Sequence, residues 1–339
     1  MPEKACTDRG HGQLATRQFV TGRAMQRRSD RHWRAPFAVD VSGVLSVHRR
    51  GFGDPAFARD ADGAVWRGCR TPDGPGTIRI ASRTEASDDA IRSARVTVVR
   101  AQAWGPGAGW LLDAMPGLLG ADDRPEEFVP AHAVLRAAAR RHAAVRIGRS
   151  GLVLESLVPA VLEQKVVGKE ATRSWRLLLR RFGDPAPGPA PPGMRVPPAP
   201  ATWASIPSWD WHRAGVEAVR GRTIAAAARV ASRIEEITQL PSDEADRRLQ
   251  ALPGIGVWTS AEVRQRACGD PDAVSVGDYH LPAVVGWALA GRPVDDAEML
   301  ELLAPYRGHR HRASILAGLS GMHQGRRAPR LSIRDYRSF

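Results

Sequence analysis

Leu249-Gln-Ala-Leu-Pro-Gly-Ile-Gly-Val-Trp-Thr-Ser-Ala-Glu262 is the stretch that decides the fold. An amphipathic run ends at Ala251 or Leu252, Pro253-Gly254-Ile255-Gly256 makes a tight turn, and Val257 opens a second helix. The two glycines admit positive φ and keep side chains out of the way. Amides at the start of the second helix then point at one anion, aided by the positive helix end. Ile255 is expected to face inward and pin the hairpin between its helices. A plain helix–turn–helix corner would need the same glycines, but the whole run between two amphipathic helices in a basic chain favours a phosphate-binding hairpin.

Outward from the hairpin the chain is helical. Apolar residues recur at three- and four-residue intervals over 110–119, 131–142, 152–164 and 169–182, and again in segments from 201 to 322. Between them, 184–200 is so dense in proline that it reads as an extended surface connector. Upstream the texture changes. Val39–Val47, Gly63–Cys69, Thr77–Ser82 and Ala94–Val99 read as short strands separated by Gly-Asp-Pro, Asp-Gly and Pro-Asp-Gly turns, with a short helix at Asp88–Ser93. The fold class is therefore α+β: a small antiparallel β-rich domain over 36–125, then a mostly helical domain over 126–324. Residues 1–35 are expected to be a disordered basic tail and 325–339 a second basic tail.

Charge agrees with an anionic partner. The chain of 339 residues has 49 Lys and Arg against 36 Asp and Glu, a formal +13, which favours nucleic acid or an anionic membrane surface. The two tails contribute +5 and +4 of that surplus. No apolar run approaches the ~18 residues of a membrane span, so no membrane partner is expected. Cys6, Cys69 and Cys268 lie far apart and read as reduced thiols of a cytoplasmic, nucleoid-associated protein. His280, His309, His311 and His323 lack metal-ligand spacing, and Gly105-Pro-Gly-Ala-Gly109 fits no phosphate-loop pattern.

The second chemical element is Asp278, 22 residues past Gly256, at the expected start of a helix running to Ala290. An aspartate there is a helix N-cap by default. With the hairpin and with Val-Leu-Glu-Ser-Leu-Val-Pro-Ala-Val-Leu-Glu-Gln164, the run Val274-Ser-Val-Gly-Asp-Tyr-His280 resembles the helix-hairpin-helix–Gly/Pro/Asp DNA glycosylases, and the alkylpurine (3-methyladenine) branch in particular. The resemblance covers 152–322 well and 36–125 more faintly.

The resemblance implies a monomeric enzyme on double-stranded DNA with damaged bases, using Asp278 as its essential carboxylate. Departure of a base builds positive charge on the deoxyribose, which a carboxylate stabilises, or it orients a water. It also implies DNA contacts from Gly254, Ile255, Gly256 and Thr259, and from Gln164 and Lys165, while Arg310, in the basic stretch His309-Arg-His-Arg312, reads either as a phosphate contact or as part of a solvated face. Main-chain carbonyls of Gln250, Leu252 and Ile255 would hold a Na⁺ or K⁺, and no cofactor serves catalysis. Bifunctional relatives carry a lysine two residues past the second glycine, where this chain has Trp258. That points to a monofunctional enzyme with Trp258 and Glu262 lining the base pocket.

Three positions depart from the branch. Glu262 replaces an aromatic, Lys165 replaces an apolar wedge, and Gly318 or Leu319 stands where a pocket tryptophan is expected. They leave a second reading open, a non-catalytic hairpin protein that recognises damaged DNA.

Overall fold

The computed structural model describes residues 28–86 and 95–322; the helix expected at Asp88–Ser93 and most of both tails lie outside them. The chain opens with β1 (Arg28–Ala35), the short helix α1 (Val41–Ser46), β2 (Phe57–Arg59), β3 (Val65–Thr71), β4 (Gly74–Ala86) and β5 (Arg95–Trp104). These strands form one antiparallel sheet in the order β1-β5-β4-β3-β2. Ile78, Ile80, Val99, Ala101 and Ala103 alternate onto one face, where they pack with α1 and with α2 (Ala108–Leu118) in a closed core.

Two expectations fail here. The end of the presumed disordered tail is β1, paired with β5 from Arg28↔Trp104 to Ala35↔Thr97. Its arginines hide a period of two, in which Trp33 and Ala35 turn inward while His32 and Arg34 face solvent. The presumed strand Val39–Val47 is mostly α1. Asp40 accepts the Gly43 amide at 2.9 Å as its cap, and Val41, Val44 and Leu45 are buried at helical spacing.

The sheet's other face is covered as well. Trp66 and Trp104 stack at 5.3 Å and pack on Met194 from the proline-rich segment. That segment is extended, as expected, but it is more than a surface connector. Its β6 (Asp184–Pro185) pairs with β7 (Arg195–Val196), and the Arg195 amide donates to Pro55 C=O at 2.7 Å. Gly68 makes the approach feasible, since a Cβ there would lie 2.3 Å from the Arg195 oxygen.

The helical part continues with α3 (Ala133–Arg141), α4 (Val153–Leu162), α5 (Gly168–Phe182), α6 (Pro200–Ser205), α7 (Ser208–Arg213), α8 (Ala218–Arg229), α9 (Ala231–Glu235), α10 (Ser242–Gln250), α11 (Val257–Val263), α12 (Leu281–Leu289), α13 (Asp296–Leu303) and α14 (Arg310–Leu319). It has two cores. Helices α4 to α11 enclose one, with Leu157, Leu179, Ile224 and Leu249 at its centre. Helix α3 instead joins α12–α14, packing Leu135 and Ala138 with Val285, Met299, Leu303 and Leu316. The chain therefore leaves the sheet, contributes one helix to the last bundle, builds the middle one, and returns.

Buried ion pairs tie the parts together. Arg67 on β3 meets Glu155 on α4 at 2.8 Å, and Arg312 on α14 pairs with Asp123, whose second oxygen accepts the Ile147 amide. Glu235 caps α4 from a distance, accepting the Val153 and Leu154 amides at 2.7 and 2.9 Å. No described helix is long and apolar enough to cross a membrane.

Candidate active site

The hairpin joins α10 to α11. Gly254 has φ +84°, and a Cβ there would meet Thr223 Oγ1 at 2.3 Å. Around Gly256, by contrast, a Cβ would find open space, so that surface of the turn is free for a ligand. Ile255 is buried in the middle core, as expected. Ser260 Oγ donates to Asp246 Oδ1 at 2.6 Å, and Arg264 reaches the same carboxylate at 3.2 Å, so the two hairpin helices are stitched together.

Asp278 stands opposite the second helix. Its Oδ1 accepts the amides of His280 and Leu281 at 2.8 and 2.9 Å; the helix expected from Tyr279 begins two residues later, at Leu281, so His280 and not Asp278 holds the cap position, and Asp278 braces the turn ahead of it. Its Oδ2 accepts the indole N–H of Trp258 at 3.0 Å. Three donors from two elements thus fix a half-buried carboxylate beside the edge of a tryptophan on the hairpin's second helix.

One turn after Trp258, Glu262 accepts the Ser275 hydroxyl at 2.6 Å and pairs with Arg266 at 2.7 Å. Arg266 Nε also donates to Val47 C=O at 3.3 Å, which brings the N-terminal domain to the site. The same two groups act on His311: burial pushes its imidazole down to about 4, with Glu262 opposing and Arg266 assisting. Ser275, Arg266 and Val47 are absent from the sequence-derived site. The four-residue spacing of Glu262 and Arg266 signals the pair, whereas nothing local signals Val47.

Several expected DNA contacts have other occupations. The Thr259 side chain is 2% exposed and accepts a bond from Gln164 Nε2 at 2.8 Å, so it is unavailable to a phosphate. Gln164 also donates to Gly254 C=O at 3.0 Å, strapping the end of α4 to the turn. Arg310 is bound by Asp272 through Nε at 2.8 Å and Nη2 at 2.5 Å, clamping α14 to the loop that leads to Asp278. Its charge is paired, with 31% of the side chain still exposed. Lys165 does stand out in solvent, with φ +55°, the one described non-glycine residue with positive φ. Leu319 closes α14 at 37% exposure, and Gly318 beside it faces Val284.

For a cation at the hairpin, Leu252 C=O already accepts the Ile255 amide at 3.1 Å, whereas the carbonyls of Gln250 and Ile255 take none of the turn's backbone bonds. Three neutral oxygens suit a hard monovalent ion. Among the described residues no cluster of His, Cys, Asp and Glu could hold a metal.

A glycine hairpin between two helices and a carboxylate just ahead of a third accord with the helix-hairpin-helix DNA glycosylase superfamily, to which the chain belongs, near the alkylpurine branch. Over 263 residues it is 31% identical to the probable bifunctional transcriptional activator/DNA repair enzyme AlkA of Mycobacterium tuberculosis, an alignment covering 73% of this chain and 48% of that protein. The chain thus spans about half the length of the curated relatives it matches. Its fold is that of the 3-methyladenine DNA glycosylase from Archaeoglobus fulgidus, with TM-score 0.68, 17% identity, and 85% and 97% of the two chains covered. The apo 8-oxoguanine glycosylase/lyase of Clostridium acetobutylicum is also similar, with TM-score 0.64, 10% identity and coverage of 87% and 97%. No family model matches the chain.

Proposed function

We propose that the protein is a monofunctional DNA glycosylase that hydrolyses the N-glycosidic bond of alkylated purines in duplex DNA. The observation that carries this is Asp278 held by three N–H donors against Trp258 at the mouth of the hairpin. In this reading, the amides at the start of α11 grip a backbone phosphate near the lesion, and a monovalent ion on the Gln250, Leu252 and Ile255 carbonyls would add positive charge there. The damaged base leaves the stack and lies against Trp258. Lys165 fills the gap with its aliphatic stem.

Asp278 then faces the sugar. As the glycosidic bond breaks, its negative charge stabilises the cation on the deoxyribose and orients the water that attacks it. Cationic N3- and N7-alkylpurines are good leaving groups, so one carboxylate suffices. With Trp258 where a lyase would have its amine, no Schiff base forms and the product is an intact abasic site.

The test is release of 3-methyladenine and 7-methylguanine from methylated DNA by the wild type and by Asp278→Asn. Release by the wild type alone, with no protein–DNA adduct trapped by borohydride, supports the reading. Tight binding to damaged DNA without release supports the second one, a recognition protein, which the charged Lys165 and Glu262 favour.

A further inference from the structure

We infer that Glu262 and Arg266 read the hydrogen-bonding edge of the flipped base and select bases with a lactam edge, an N–H beside a C=O. The inference rests on the proposed glycosylase function of the same site and, among alkylated purines, favours 7-methylguanine, which keeps that edge, over 3-methyladenine, which lacks it. Trp258, Glu262 and Arg266 follow one another at four-residue intervals along α11 and its continuation. The first step is four residues of α-helix, ~6 Å along the axis, comparable with the width of a purine, and the second runs into the π-helical segment Arg264–Cys268.

Both ends of this row are fixed to the turn that carries the carboxylate or to the neighbouring domain. Trp258 bonds Asp278, and Glu262 bonds Ser275, whose carbonyl accepts the Asp278 amide at 3.2 Å. Arg266 bonds Val47 of the N-terminal domain. A base whose sugar sits at Asp278 and whose face lies on Trp258 therefore turns its far edge toward Glu262 and Arg266.

The pair still has bonding capacity. Arg266 uses Nη1 on Glu262 and Nε on Val47, and no described residue takes Nη2. Each oxygen of Glu262 accepts a single bond and has a second lone pair. The side chains keep 12% and 18% of their exposure, so they are not sealed off. An acceptor beside a charged donor matches an N–H beside a carbonyl in a bidentate arrangement. A base lacking that edge leaves the Nη2 of Arg266 and the second lone pairs of Glu262 desolvated without a partner, although the two groups still pair with each other, which gives discrimination.

The experiment uses single-turnover release from duplexes holding one hypoxanthine, which has the lactam edge, or one 1,N6-ethenoadenine, in which alkylation closes the corresponding positions. Methylated DNA is the activity control. The expected result is wild-type release of hypoxanthine about 100-fold faster than ethenoadenine. Glu262→Gln and Arg266→Gln should each slow hypoxanthine at least about tenfold and leave ethenoadenine within about twofold.

Equal slowing of both bases by the variants would mean that the pair only supports the pocket wall, and overturns the inference. So does a wild type that releases ethenoadenine as fast as hypoxanthine, or that releases methylated bases but neither probe; in these cases the glycosylase reading stands. A wild type inert on every substrate overturns both.

Discussion

The indole nitrogen of Trp258 and the Oδ2 of Asp278 are 3.0 Å apart, joined by a hydrogen bond between the hairpin's second helix and the start of α12. The bond makes the aromatic plate and the carboxylate one unit, with the plate's edge and the carboxylate's position mutually fixed. Because Oδ1 is occupied by two amides at the start of α12, the group both braces that helix start and is the candidate catalytic carboxylate. These two roles separate under substitution. Asp278→Asn keeps an amide oxygen to accept those amides but removes the charge. Base release is expected to fall at least about 100-fold, with Tm within a few degrees of the wild type by calorimetry.

Gln164→Leu should behave in the opposite way. It deletes the strap to Gly254 and leaves the buried Thr259 hydroxyl without that bond, a loss of about 1–3 kcal/mol. Denaturant unfolding is expected to show that loss. Affinity for duplex DNA with an abasic site, measured by anisotropy, is expected to fall because the turn loses its anchor, while Asp278→Asn retains binding.

Lys165 has a left-handed backbone conformation at φ +55°, which disfavours a side chain by ~1 kcal/mol. Lys165→Gly is therefore expected to raise stability by up to about that amount and to lower base release on duplex DNA, since the stem that fills the gap is gone. If release is unchanged, the residue has no part in holding the flipped state.

The Arg312–Asp123 pair is buried at 5% and 2% side-chain exposure. Asp123→Ala strands the guanidinium in the interior and frees the Ile147 amide, with an expected destabilisation of about 3–5 kcal/mol. Asp123→Ala combined with Arg312→Met should recover part of it, because the unpaired charge goes too. A double mutant no more stable than Asp123→Ala would show that the pair's burial is not what matters.

Acid should weaken the fold through His311. Its imidazole titrates near 4 in the folded chain because burial disfavours the charged form, whereas in the unfolded chain it titrates near ~6.5. Above that value both states are neutral and stability is full. Between about 6.5 and 4 only the unfolded chain takes up the proton, so stability falls as pH falls. His311→Gln, neutral throughout, should flatten the Tm profile across this window.

Much of the candidate site was legible because its signals are local. Positive φ at a tight turn demands glycine at Gly254, and open space around the extended Gly256 suits a second, so Pro253-Gly254-Ile255-Gly256 announces itself, and Ile255 is buried as its pattern requires. Asp278 was legible for the same reason, as a short polar side chain before an apolar helical run. What local sequence did not signal is a hydrogen-bond partner that is remote. Arg310 looks like a phosphate ligand until Asp272, 38 residues away, closes on it. Nor does anything near Thr259 or Gln164 in sequence signal that the two bond each other. In the fold, β1 was missed because its arginines outweigh an alternation that matters only once β5 lies beside it.

Taken alone, the sequence determined the hairpin, the order of sheet and helices, and the absence of lysine at position 258, because backbone conformational preference, hydrophobic period and residue identity act over a few neighbours. Only the tertiary structure decided that Trp258 bonds Asp278, that Glu262 is paired with Arg266, and that Val47 of the N-terminal domain joins the site. Those contacts depend on how separate cores dock, and a buried polar group takes whichever partner packing brings within reach.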